Sequence, residues 1–251
     1  MVHLLLSGEG LSDIVRCTAD TGDICHSQNF QPGPMAWFVD QWVEKVLGFE
    51  FSHIDFDQVG FVSEKSLGKH CKKTSGGRNI PLPGKKTDRE TGYFSRNARG
   101  LGELAQKLAS ELQGTVVAVL FRDSDGTASA GRGTRRKKVQ SMENGFQDAG
   151  FDYGVPMMPA PKSEAWLLCA VKSPSPYQYC DALEKNSGND KAPNPLKEQL
   201  ETALGKHPSA ETLSEMVKDK QIDISRIDMP SLREFKAALE DAVVRAAAIR
   251  R

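Results

Sequence analysis

Two stretches of this chain are mostly apolar, and both stop at acidic turns. Residues 2–7 carry Leu4, Leu5 and Leu6 and end at Gly8-Glu9-Gly10, while residues 115–121 run without a polar break from Val116 into Arg122-Asp123-Ser124-Asp125-Gly126. Short apolar runs bounded by turn residues predict strands, and the second reads as a central strand buried on both faces. Helical spacing lies between them. Trp37, Phe38, Trp42, Val43, Val46 and Leu47 share a periodicity that Gly48 ends, predicting a helix over 35–47. Leu101, Leu104, Leu108 and Leu112 line one face of a helix over 93–112. Ser12 or Asp13 is placed to cap a helix after the first strand. Residues 20–34 read as loop, 49–62 as holding a strand or two, and 63–92 as a long basic loop. Beyond the second strand the pattern predicts a loop over 127–134, a helix over 135–149, a strand over 153–158, and a helix over 164–171 capped by Ser163. Three further helical pieces follow near 194–204, 210–218 and 231–249. Strands alternating with helices predict an α/β fold: a mostly parallel sheet with helices on both faces. The expected organisation is an α/β domain over 1–172, with an insertion at about 20–95, and a helical extension over 173–251 packed on it.

Composition adds little to this picture. The chain has 251 residues, 39% hydrophobic and 26% charged, enough for one large domain or one with a small appendage. Its formal net charge is zero, so attraction to an anionic partner must come from local patches. The first apolar run lacks a preceding basic region and is interrupted by Glu9 and Asp13, so neither a signal peptide nor a membrane span is expected. Cys17, Cys25, Cys71, Cys169 and Cys180 form no CxxC pair and are odd in number. That predicts thiols in a reducing cytoplasm rather than a disulfide framework. Neither Cys25-His26 nor His70-Cys71 fits the spacing of a zinc module.

The acidic turns carry the chemistry. Ligands of open α/β sheets bind outside the carboxyl ends of strands. If the two apolar strands are parallel neighbours, Glu9 and the Asp123/Asp125 pair emerge at one edge. Convergent hard oxygen donors suit Mg²⁺ or Mn²⁺. Without a cation such carboxylates repel one another and at least one pKa rises.

Gly8-Glu9-Gly10 with Ser12-Asp13, then Arg122-Asp123 with Asp125-Gly126, resembles the Toprim fold of topoisomerases, primases and nucleases of the overcoming-lysogenization-defect type. Small Toprim-like proteins also carry a stretch similar to Ser163-Glu164-Ala165-Trp166. The resemblance spans about residues 2–172, with the glutamate and the Asp-x-Asp farther apart here than in the smallest members. It implies that Glu9, Asp123 and Asp125 are metal ligands, that Asp13 and Glu164 add to them, and that Lys162 assists catalysis. It further implies metal-dependent phosphodiester hydrolysis, two ions sharing the ligands, and an ATPase partner in bacterial defence against phage.

Cations flank these acids. Lys72, Lys73, Arg78, Lys85 and Lys86 lie in the basic stretch, and Arg132, Arg135, Arg136, Lys137 and Lys138 follow Asp125. Both clusters are expected to contact nucleic acid, DNA in the first place. Lys162 or Arg122 is expected to stabilise charge on the reacting phosphate. Two rival readings stand beside this one. Asp123-Ser124-Asp125-Gly126-Thr127 also resembles the opening motif of haloacid-dehalogenase-type phosphatases, with Asp123 as nucleophile. A non-catalytic subunit docking on an ATPase is the other.

Overall fold

A computed structural model describes residues 2–9, 13–17, 24–26, 29–74, 86–124 and 131–248. Its centre is a five-stranded sheet in the order β3-β5-β1-β6-β7, formed by Cys25–His26, Val59–Ser63, Val2–Gly8, Thr115–Phe121 and Gly154–Met157. β1 is parallel to both β5 and β6, and β7 is parallel to β6; only β3 runs antiparallel, at the β5 edge. A separate small ribbon pairs β2 (Val15–Cys17) with β4 (Phe30–Pro32).

Alternation of side chains divides the sheet into two faces. Leu4, Leu6, Val117, Val119 and Phe121 face one core, shared with α1 (Pro34–Leu47), α5 (Ser163–Val171), α6 (Leu196–Leu204), α7 (Ala210–Lys218) and α8 (Pro230–Ala248). Leu5, Val116, Ala118 and Leu120 face the other, shared with α2 (Glu64–Thr74), α3 (Lys86–Leu112) and α4 (Gly131–Asp148). The mixed α/β architecture, mostly parallel with helices on both faces, is the one the alternating pattern predicts. Local chemistry sets the boundaries. Pro34 opens α1 at a position needing no N–H donor, and Gly48 closes it at φ +73°.

C-terminal helices share the first core. α8 lies against α1, β1, β6 and β7, and α7 lies against α1. Trp166 of α5 is fully buried between Phe38 of α1 and Phe235 of α8, with ring centroids 6.5 and 6.1 Å away, and its Nε1–H donates to Ser231 Oγ at 2.9 Å.

Several expectations are corrected. Part of the basic loop over 63–92 is helical: α2 occupies its start, and α3 begins at Lys86 rather than near 93. Leu67 and the partly buried Cys71 pack the charge-rich α2 on the second core, and His70 bonds Glu103 of α3 at 2.9 Å. No helix follows Asp13; the chain turns and enters β2. Cysteines expected as thiols are joined, Cys17 to Cys25 and Cys169 to Cys180, with Cα separations of 6.3 and 5.5 Å; Cys71 is a thiol. These separations suit bridging and arise from folded proximity that spacing in sequence does not reveal. With four of the five cysteines paired, cysteine content gives no reason to expect a reducing compartment. Among the described residues, no helix is long and apolar enough to cross a membrane.

Candidate functional site

β1 and β6 end level with each other, Gly8 opposite Phe121. Their close approach depends on Gly8: a Cβ there would lie 2.8 Å from Ile14 Cγ2 and 3.0 Å from Phe121 Cβ. The next residues therefore leave the sheet together. Glu9 reaches across, and its Oε1 accepts the Asp123 backbone N–H at 2.9 Å. Asp123 Oδ1 in turn accepts the Ser163 N–H at 3.0 Å, at the start of α5 where donors have no helical partner.

The carboxyl edge is also closed from the β7 side. The Arg122 N–H donates to Met157 O, and both the N–H and the hydroxyl of Ser124 donate to Pro161 O, each at 3.0 Å. These bonds hold α5 and its first-turn Glu164 beside Asp123.

The electrostatics are those of carboxylates held together. Burial pushes the Asp123 carboxyl well above the usual range, and the charges of Glu164, Asp13 and Glu9 add to this; only the Ser163 N–H opposes it. Burial likewise pushes Asp13 up to about 7, reinforced by Glu164 and Glu9 and opposed by Lys162 and Lys197. Glu9, Asp13, Asp123 and Glu164 thus act on one another. As a donor set they are hard oxygens, fitting Mg²⁺ or Mn²⁺, ions that take one or two carboxylates and keep part of their water shell. Among the described residues no three such side chains are close enough to form a ready-made ion cage. Glu9 and Asp123 each place one carboxylate oxygen on a backbone N–H. Asp125 lies outside the described residues.

Lys162 sits just before α5 and its Nζ donates to Asp190 Oδ1 at 2.9 Å. Arg122, expected beside the reacting phosphate, turns to the opposite face of β6 and is fully buried, its guanidinium 5.9 Å from the Tyr93 ring centroid. The cationic cluster of α4 divides. Arg136 and Lys137 are exposed. Arg135 donates to Met158 O and pairs with Glu234 at 2.5 Å. Lys138 corrects the expectation of a nucleic-acid contact: it is 4% exposed, and its Nζ donates to Ser124 O at 3.0 Å, because it faces the core side of α4. Lys72 is exposed near the end of α2. Arg78 and Lys85, and the side chains of Lys73, Lys86 and Arg132, lie outside the described residues.

Sequence reasoning missed Lys197, on the first turn of α6, and the Ser163 backbone donor. Nothing near Lys197 in the chain marks it, since it meets Asp13 only through the fold. A capping serine before an apolar helix is a visible signal, but here its amide matters more than its side chain. No family model, curated protein or solved structure matches this chain.

Proposed function

We propose that this protein hydrolyses phosphodiester bonds of nucleic acid, DNA in the first place, using Mg²⁺ or Mn²⁺. The observation carrying this reading is Glu9 bonded to the Asp123 amide where β1 and β6 end, with Asp13 and Glu164 acting on the same carboxylate. The resemblance of these residues to the Toprim metal motif supports it. A divalent cation bound there supplies charge neutralisation and Lewis acidity toward phosphate and water.

The chain's own residues do the rest. Glu9 ties the two strand ends, and the Ser163 amide orients Asp123. Lys162 and Lys197 place positive charge beside Asp13. Exposed Arg136 and Lys137 on α4 offer contacts to a phosphate backbone. An ATPase partner and a role in defence against phage, both implied by the resemblance, belong to the same proposal and are tested by copurification.

The experiment is incubation of the pure protein with plasmid, linear DNA and RNA in Mg²⁺, Mn²⁺ or EDTA, beside Glu9→Gln and the double variant Asp123→Ala/Asp125→Ala. Cleavage is expected with metal only, falling by more than about 100-fold in both variants, since even partners outside the metal's own ligands are worth about 10–100-fold. Equal cleavage by wild type and variants sinks the reading.

A further inference from the structure

We infer that Arg122, Ser7 and Asn97 form a phosphate-binding site on the face of β6 opposite Asp123. Arg122 has no solvent exposure; Nη1 donates to Phe121 O at 3.2 Å, while Nε and Nη2 have no hydrogen-bond partner. Ser7 Oγ is likewise buried and without a partner, and the buried Asn97 Nδ2 makes no hydrogen bond of normal geometry, although the Asn97 side chain acts on the Tyr93 hydroxyl.

Register and helix spacing put these groups on one side of the sheet. Ser7 pairs with Leu120, and both follow the alternation that places Leu5 and Leu120 in the second core. Arg122 is two residues beyond Leu120 and shares that face. Tyr93, whose ring lies below the guanidinium, is one turn from Asn97 on α3.

A guanidinium stays charged at any ordinary pH, and leaving its N–H groups unmade in a low-dielectric interior is costly. Glu64 takes the Tyr93 hydroxyl on Oε1 and accepts none of the Arg122 N–H groups. Arg122 and Asn97 contribute donors, and the Ser7 hydroxyl can donate as well. Donors arriving from two strands and a helix, out of one plane, match a tetrahedral oxyanion better than a flat carboxylate. The anion would have to enter from the carboxyl edge, where β1 and β6 end, since Arg122 and Ser7 have no exposed surface. Its source is either free phosphate or a phosphate of nucleic acid; only the second rests on the hydrolase reading.

The test is made in EDTA at constant ionic strength, which removes the metal chemistry. Inorganic phosphate and a short oligonucleotide are titrated separately, with binding read by the rise in Tm and, for phosphate, by ³¹P line broadening. Wild type is expected to bind at least one of them. Arg122→Met should weaken that binding by about tenfold or more, the value of one charge-assisted hydrogen bond. Ser7→Ala, which removes one hydroxyl, keeps the test open if Arg122→Met does not fold, and should also weaken binding. Response to phosphate alone assigns a free-anion site; response to the oligonucleotide assigns the nucleic-acid backbone. No response in wild type, or undiminished response in both variants, overturns the inference. Phosphate binding without metal-dependent cleavage would leave this site standing and sink the hydrolase reading alone.

Discussion

Asp123 is held where its charge is least welcome, partly buried and facing three other carboxylates. Such an arrangement costs stability, because burial and like charges both disfavour the ionised carboxyl. Asp123→Asn removes the charge while keeping an oxygen for the Ser163 amide. In EDTA the variant should therefore be more stable by about 0.5–2 kcal/mol, the usual gain from relieving a functional site, yet lose cleavage. Urea unfolding checks the first part; a loss of stability would show that Asp123 is not strained by its neighbours. Lys236 on α8 offers a separate residue-scale test. Its Nζ donates to Ile227 O and lies 4.8 Å from the Trp42 ring centroid. Burial, aided by the charge of Lys45, pushes its pKa from 10.5 down to about 8. Below about 8 the folded state carries the cost of the buried ammonium in full. Between 8 and 10.5 the unfolded chain holds the extra proton, so unfolding free energy gains a rising contribution with pH. Lys236→Met should remove that contribution, seen as the difference between the two proteins' stability profiles.

Among the elements, α3 and α4 pack closely enough that glycine is required. A Cβ on Gly145 would lie 2.1 Å from Ser95 O. Gly145→Ala should destabilise by about 1–3 kcal/mol through overpacking, measured as a lower urea midpoint. Gly68 on α2 has nothing within 4 Å of the same position. There alanine should stabilise by about 0.5–1 kcal/mol, because only the backbone entropy cost of glycine is removed. Equal effects at the two sites would contradict the packing. At this scale much was readable in advance. The strand over 115–121 is found at those bounds, and α1 and α5 each begin one residue before their expected starts. β2, β3 and β4 were missed because two or three residues are too few to display a period.

For the whole molecule, the C-terminal helices and the sheet bury one another. Trp166 ties the helix bearing Glu164 to α1 and α8. Trp166→Ala should cost about 3–5 kcal/mol, as expected for a fully buried large aromatic. Wild-type unfolding followed by near-UV and far-UV circular dichroism should give coincident transitions. Two separated transitions would mean that the shared core does not couple the parts.

By itself the sequence determined the order of the main elements and the kind of donor at each strand end. These are local properties: apolar period, turn residues and side-chain chemistry. Tertiary structure decided that β1 lies beside β6, bringing Glu9 to the Asp123 amide across 114 positions of chain. It also decided that Lys138 and Arg122 are buried while Arg136 and Lys137 reach solvent. A period tells which face a side chain takes, but not what will cover that face. Strand neighbours and burial follow from long-range packing, and no local stretch of residues encodes them.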